Sequence, residues 1–152
     1  MTDALPLEIS DDVREAIGTA FASMKFLQAS YIGDDGYPHI SNRGSVVVLG
    51  PQQLGLWARK RDSGMAADVA SRPQVTLLYT DLADKHVLYT FYGTATTDAD
   101  GPLAERVWNE MPERERQSDA DRKGTAIVVD LTKIIGMSPN PELNFEIGRA
   151  HV

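Results

Sequence analysis

The stretch LGLWARKRDSGMAADVASRPQVTLLYT, residues 54–80, predicts a strand, a basic turn, a short helix and another strand. The turn places Arg59, Lys60 and Arg61 directly before Asp-Ser-Gly at 62–64, where a helix can begin. The first turn of a helix has unpaired backbone N–H groups and the positive end of the helix dipole. Three cations beside such a start are suited to binding a phosphate. The alternative interpretation is an ordinary basic turn exposed to solvent.

Two neighbouring features favour a binding role for the basic turn. Trp57 precedes it on the same strand and could provide an aromatic wall. A hairpin would place Asn-Arg-Gly-Ser at 42–45 beside residues 54–59, so that Arg43 and Arg59 could reach one anion. An arginine inside an apolar strand is costly to bury unless it is paired, and a phosphate can pair with it through two hydrogen bonds.

The flanking sequence predicts further strands and peripheral helices. Ser10, followed by two aspartates, is a typical helix start, and apolar residues at helical spacing predict a helix over 11–24. A charged helix over 102–117 is interrupted at Pro112, and Gly93 suggests a bulge within its strand. The tail from 138 is expected to be irregular. The predicted strands are 26–32, 37–49, 54–58, 74–80, 86–97 and 125–137.

About six strands in hairpin order, with helices at the start, in one crossover and late in the chain, define the expected architecture. This order is typical of an antiparallel β-barrel with peripheral helices, because the βαβ repetition of parallel sheets is absent. The 152 residues contain no internal repeat or linker and predict a single domain over 1–152.

Composition narrows the class of partners. The net charge of −7 argues against broad nucleic-acid binding, so the basic turn stands against the overall sign. The chain has no cysteine and no run of eighteen apolar residues, and its first residues lack the basic-then-apolar order of a signal peptide. We therefore expect a cytoplasmic protein that does not associate with membranes.

Several chemistries lack their sequence signatures. The three histidines, at 39, 86 and 151, have no metal-ligand spacing, so no metal site is expected. There is no G-x-S-x-G elbow, P-loop or G-x-G-x-x-G motif after a strand. The mixed-charge run at 113–124 is interpreted as a solvated helix end and loop.

Four segments together resemble the pyridoxamine 5'-phosphate oxidase-like family of FMN-binding split barrels. They are GYPHISNRGSVVVL (36–49), LGLWARKRDSGMAADVASRPQVTLLY (54–79), VLYTFYGTATT (87–97) and ERVWNEMPERERQSDADRKGTAIVVDLTKIIG (105–136). The resemblance covers residues 20–136 and implies a six-stranded split β-barrel. It also implies a homodimer with two FMN sites at the subunit interface.

The resemblance also implies a set of cofactor-binding residues. One group lies on the first FMN-contacting strand, a second precedes the phosphate-binding turn, and a third opens the short helix. This chain has Gly64 and Met65 where the family usually carries cations on that helix, and Arg59 or Arg61 could compensate from the turn. The implied residues are Arg43, Gly44, Ser45, Val46, Trp57, Ala58, Arg59, Arg61, Ser63, Gly64 and Met65.

The function implied by the resemblance is that of an FMN-dependent oxidoreductase acting on an unidentified small molecule. No catalytic residue can be assigned, since the flavin itself would carry the electrons. One alternative is a flavin-binding or carrier protein without turnover. Another is a binder of the deazaflavin F420 or of haem on the same barrel, with His39 or His86 as the internal candidates for an axial ligand.

Overall fold

Eight strands and four α-helices make up residues 7–148, the part of the chain that the computed structural model describes. The strands are β1 (Leu27–Ile32), β2 (Pro38–Arg43), β3 (Val47–Gly50), β4 (Gln53–Ala58), β5 (Gln74–Asp81), β6 (Val87–Asp98), β7 (Thr125–Met137) and β8 (Phe145–Gly148). The helices are α1 (Asp11–Thr19), α2 (Gly64–Ser71), α3 (Pro102–Glu110) and α4 (Glu113–Gln117), and a 3₁₀ turn covers Pro141–Leu143.

The strand order shows how the sheet curls. It runs β2-β1-β5-β6-β7-β4-β3, with β8 paired to β7 and every pairing antiparallel. The two end strands, β2 and β3, are joined by residues 44–46 alone. That link reaches at most about 14 Å, whereas the edges of a flat seven-stranded sheet would lie roughly 29 Å apart. The sheet must therefore curl until its two edges approach each other, which confirms the antiparallel split-barrel fold class.

Two apolar clusters stabilise this barrel. The larger fills the interior, where the alternating burial of β5 directs every second side chain inward. The smaller lies outside the barrel, between the β3-β4-β7 face and α3. Strand β4 contributes to both clusters, so it is buried on both faces. The fully buried side chains of the interior include Leu27, Leu54, Leu56, Leu77, Phe91, Leu131 and Ile134.

The predicted strand over 37–49 was wrong in its extent, because it divides into two strands with different partners. Arg43, at the end of β2, pairs with Leu27 on β1, whereas β3 pairs with β4. Between them, the Ser45 hydroxyl accepts a hydrogen bond from the Trp57 backbone N–H at 2.9 Å. In the link between β2 and β3, a side-chain hydrogen bond thus replaces the backbone hydrogen bonds of a ladder. Arg43 was predicted to lie beside β4 in a hairpin, but it pairs with β1 instead.

The predicted first helix was too long, because α1 ends at Thr19 rather than at 24. The hydroxyls of Thr19 and Ser23 donate to the carbonyls four residues earlier, at 2.9 and 2.6 Å. Such local bonds compete with regular helix, and the positive φ of 56° at Met24 turns the chain towards β1. Within residues 7–148, no helix is long and apolar enough to cross a membrane.

The tail after residue 137 contains a short strand where irregular structure was predicted. Strand β8 adds to β7, and Phe145 pairs with Gly136, whose missing side chain leaves room for the ring. The divided strand and β8 raise the strand number from the predicted six to eight. The bulge at Gly93 is confirmed, since the β6-β7 register shifts there and an added Cβ would lie 2.5 Å from the Asp130 carbonyl oxygen.

Candidate functional site

A cavity of about 360 Å³ lies where the two edges of the sheet meet, and we call it the split cavity. The ends of β2 and β4, the link between β2 and β3, the start of α2 and one side chain of α4 form its walls. All the sequence-predicted site residues line it except Val46 and Arg61. The lining residues are Tyr31, Ser41, Asn42, Arg43, Gly44, Ser45, Trp57, Ala58, Arg59, Lys60, Ser63, Gly64, Met65 and Glu115.

Arg43 brings a partly buried, incompletely paired guanidinium to this cavity. Burial lowers the pKa of Arg43, and the nearby charge of Arg59 lowers it further, while Tyr31 and Glu115 act in the opposite direction. Across residues 7–148, its Nε is the one buried side-chain nitrogen or oxygen atom that has no hydrogen-bond partner. Leaving a buried donor unpaired typically costs about 1–3 kcal/mol.

The start of α2 adds backbone donors to the same wall. Ser63 occupies the N-cap position in an extended conformation, but its side chain makes no capping hydrogen bond. The first turn carries no acidic residue, and Gly64 has a positive φ of 59°, which glycine adopts without strain. Met65, which departs from the cation that the resemblance implies for the family at this position, is 3% exposed and packs in the barrel core. The start of this helix therefore offers backbone groups but no cationic side chain of its own to the cavity.

Arg59 and Lys60 make the cavity electropositive although the protein is acidic overall. The closest carboxylate oxygen to the Arg59 guanidinium is that of Glu115, at 3.7 Å. Hydrogen-bonded ion pairs are typically about 2.7–2.9 Å long, so this contact is loose. Three cations, Arg43, Arg59 and Lys60, thus share the cavity lining with one carboxylate.

Arg61 lies away from the cavity. Its Nε donates to the Gly124 carbonyl oxygen at 2.7 Å, and its Nη2 lies 3.3 Å from Asp100 Oδ1. The three cations of the basic turn therefore have different surroundings. Arg59 and Lys60 line the cavity, whereas Arg61 connects the turn to the residue before β7. Of the two cations proposed to compensate for the missing helix cations, only Arg59 is in position.

The side chains of Trp57 and Val46 also differ from the expectation. The Trp57 ring meets the Trp108 ring edge-on at 5.0 Å, and its Nε1 donates to Asp119 Oδ2 at 2.9 Å. With 4% exposure, this ring packs in the outer cluster, although Trp57 also contributes to the lining of the split cavity. Val46 is buried in the barrel core and lines a second cavity of about 400 Å³, which shares Arg43 and Gly44 with the first.

The mixed-charge run at 113–124 is not simply a solvated loop. Asp119 accepts hydrogen bonds from the Trp57 ring and from the backbone N–H groups of Lys123 and Gly124, at 2.9, 2.9 and 2.8 Å. Burial alone would raise the pKa of Asp119, but these hydrogen bonds outweigh it and lower the pKa. The same run supplies Glu115 to the split cavity, a contact that the sequence did not predict, as it did not predict those of Tyr31 and Ser41.

The two histidines within residues 7–148 lie outside the split cavity. His39 is exposed, stacks on Tyr31 and has its Nε2 3.0 Å from Asp35 Oδ1. His86 is exposed at a turn with a positive φ of 55°, and His151 falls outside the described residues. Over 7–148, no group of three or more His, Asp or Glu side chains could hold a metal ion. Neither internal histidine is placed to ligate a haem in this cavity.

Comparison with known proteins finds similarity in structure alone. No family model matches the sequence, and no curated protein does. An FMN-binding, pyridoxamine 5'-phosphate oxidase-related protein from Nostoc punctiforme superposes with a TM-score of 0.67 at 11% identity, covering 89% of this chain and 86% of that one. HupZ from Group A Streptococcus gives 0.66 at 13% identity, with 94% and 99% covered.

General stress protein 26 from Bacillus anthracis is similar to the same degree. Its TM-score is 0.65 at 16% identity, and the match covers 90% of this chain and 98% of that one. At such low identities these similarities establish the fold. The chain therefore has the split-barrel fold of pyridoxamine 5'-phosphate oxidase-like proteins, as the sequence resemblance predicted.

Proposed function

We propose that this protein binds FMN in the split cavity and acts as an FMN-dependent oxidoreductase on a small molecule. The single observation that carries the proposal is the buried, unpartnered Nε of Arg43. The Arg43 residue lines the same cavity as Arg59 and the uncapped start of α2. Donors of this kind fit a phosphate, and a solved structure with this fold is described as FMN-binding.

The phosphate of the flavin would be held by three kinds of donor. Arg43 and Arg59 would each offer a planar guanidinium that can bind phosphate oxygens through two hydrogen bonds. The backbone N–H groups of Gly64 and Met65 would bind from the start of α2, and Lys60 would add a third positive charge. The backbone donors of α2 and the partly buried Arg43 need little ordering on binding, whereas the exposed Arg59 and Lys60 would become ordered against the phosphate.

The link between β2 and β3 would position the flavin ring. Residues 44–46 lie outside both ladders, and the hydrogen bonds between Ser45 and Trp57 fix their path. We propose that their backbone contacts the polar edge of the ring. The flavin supplies the hydride or electron transfer, while the barrel binds and orients it and excludes water. No acid or base is assigned to the reaction.

We also propose that two copies associate along β2. This edge strand is exposed over most of its length, Ile40 is 65% exposed, and the adjoining Tyr37 is 71% exposed. Open strand edges with apolar side chains tend to pair with another chain. Covering this edge would also enclose the split cavity, which β2 borders. A monomer in light scattering at micromolar concentration would contradict the homodimer.

The absorption spectrum of the purified protein tests flavin binding. We expect flavin bands in the visible region and release of FMN on acid treatment, identified by its mass. A colourless protein that also fails to bind added FMN would refute the proposal. Reduction of the bound flavin by NADH or NADPH, followed by reoxidation, would separate an oxidoreductase from a carrier without turnover.

We also propose a cytoplasmic location for the protein, which the absence of cysteine supports.

A further inference from the structure

Glu115 is the one acidic residue among those lining the split cavity. Its side chain is 21% exposed, and its Oε2 lies 3.7 Å from Arg59 Nη2. Its Oε1 lies against the backbone of Gly44, so closely that a Cβ at this glycine would collide with it and with the Phe21 ring. The missing side chain at residue 44 thus makes room for a carboxylate beside the two arginines.

The carboxylate of Glu115 is held less firmly than that of Asp119, four residues later. The Asp119 carboxylate accepts three hydrogen bonds of 2.8–2.9 Å. If this side chain rotated away, the three donor groups would lose their acceptor. Within residues 7–148, the one ion pair of Glu115 is a loose one, with an arginine that is itself 59% exposed. An ion pair of this kind contributes about 0–1 kcal/mol. The Glu115 carboxylate can therefore be displaced at little cost, whereas that of Asp119 cannot.

The backbone that carries Glu115 is fixed, so displacement requires only a side-chain rotation. Arg116 Nη1 donates to the carbonyl oxygens of Trp108, Asn109 and Met111, at 3.2, 3.3 and 2.7 Å, and ties α4 to the end of α3. A phosphate bound to Arg59 would lie within a few ångströms of the Glu115 carboxylate. Like charges at that separation repel, most strongly where water is excluded.

We propose that Glu115 is an internal competitor for the phosphate position. In the free protein its carboxylate faces Arg59 and lies beside Arg43, and it turns away when a phosphorylated ligand binds. This inference rests on the proposed function, because it concerns the same cavity. Glu115 thereby sets how much the phosphate contributes to affinity, and it disfavours ligands whose anionic group is too weak to displace it.

Glu115→Gln tests this competition, because the amide keeps the shape of the side chain and removes its charge. Glu113→Gln is the matched control, since Glu113 is exposed on the same helix and does not line the cavity. Isothermal titrations use inorganic phosphate, FMN and riboflavin as probes. We expect Glu115→Gln to bind phosphate and FMN about three- to tenfold more tightly than the unmodified protein, with riboflavin unchanged. Glu113→Gln should stay within about twofold for all three probes.

The outcomes separate the inference from the proposed function. Unchanged or weaker phosphate and FMN binding by folded Glu115→Gln overturns the competitor role, and FMN binding by the unmodified protein would then leave the proposed function standing. Tighter phosphate binding by Glu115→Gln, with no FMN bound by either protein, supports the competitor and refutes the FMN function. Equal gains in Glu113→Gln would indicate a general charge effect and overturn the inference. No binding of any probe by either protein refutes both.

Discussion

The starts of α1 and α3 differ from the start of α2 in how their backbone N–H groups are satisfied. At α1, the Ser10 hydroxyl accepts from the Val13 N–H at 3.3 Å. At α3, the Asp98 carboxylate accepts from the N–H groups of Gly101 and Ala104 at 2.9 and 3.0 Å. At α2, Ser63 makes no such bond. A side chain therefore supplies an acceptor at the starts of α1 and α3, whereas Ser63 supplies none at the start of α2, which borders the split cavity.

The cations follow the same division. Arg61, on the basic turn, is bound to Gly124 and Asp100, whereas its neighbour Arg59 has a single loose carboxylate contact. Arg43, across the split, keeps a buried donor without an acceptor. Arg43 and Arg59 both line the split cavity, and we propose an external anion as their shared partner.

Asp119→Ala tests the internally satisfied class and should have the largest effect. It removes the acceptor for the Trp57 ring and for two backbone N–H groups. We expect a loss of about 3 kcal/mol in the free energy of unfolding, since hydrogen bonds to charged groups contribute about 1.5–3 kcal/mol each and are not additive. Urea denaturation measures the change. Asp121→Ala, at an exposed neighbour, is the control, and equal losses in both variants would contradict the role of Asp119.

The same carboxylate predicts a dependence of stability on pH. Burial raises the pKa of Asp119 but its hydrogen bonds outweigh this, so that its pKa is lower in the folded protein than in the unfolded chain. Its contribution is therefore complete above the unfolded pKa of about 4 and is lost as the pH falls through the lowered folded pKa. We therefore expect the free energy of unfolding to fall less in Asp119→Ala than in the unmodified protein when the pH is lowered from 6 to 2, as measured by urea denaturation. A parallel loss in both proteins would assign the acid sensitivity to other groups.

Arg59→Ala tests the unsatisfied class. We expect FMN binding to weaken by about 1.5–3 kcal/mol, because a charge-assisted hydrogen bond to the phosphate is lost. Arg61→Ala removes the neighbouring cation, which does not line the cavity, and should leave FMN affinity within about twofold. Fluorescence titration of FMN compares the two variants. Equal weakening of FMN binding in the two variants would contradict a specific role for Arg59 and would indicate that the turn acts only through its overall positive charge.

Two serines at equivalent helix positions give the smallest and most specific comparison. Ser10→Ala removes a capping acceptor and should lower the free energy of unfolding by about 1 kcal/mol. Ser63→Ala removes a side chain that makes no capping bond, so we expect a change of at most a few tenths of a kcal/mol. Thermal unfolding without added ligand measures both. A comparable loss at Ser63 would show that the start of α2 is satisfied from within.

Local patterns were enough to predict most of the elements, but not the break at the split. The alternation in β5 and the long β-branched run of β7 depend on neighbouring residues alone, so their positions followed from the sequence. The break between Arg43 and Val47 depends on a hydrogen bond between Ser45 and a strand twelve residues later. A continuous apolar run looks the same whether it forms one pairing or two. Strand β8 was missed because four residues carry too short a pattern.

For the candidate site too, the sequence predicted the segments that are contiguous but not the contacts between distant segments. The basic turn and the start of α2 are contiguous in sequence, and they led to the prediction of a phosphate site once the family resemblance was added, with an ordinary exposed turn as the alternative. The direction of each side chain was not predictable, because it depends on packing. Arg61 turns to Gly124 and the Trp57 ring turns to Trp108, both through contacts with distant segments. Glu115 comes from a mixed-charge run whose approach to Arg59 depends on how α4 packs.

The central claim is that the split cavity recognises the flavin through its phosphate. The most direct measurement is a parallel fluorescence titration of the unmodified protein with FMN and with riboflavin, which differ only in that group. The account predicts that FMN binds at least about tenfold more tightly, as expected for charge-assisted hydrogen bonds from two arginines and a helix start. Equal affinity for the two flavins, or tighter binding of riboflavin, would contradict it.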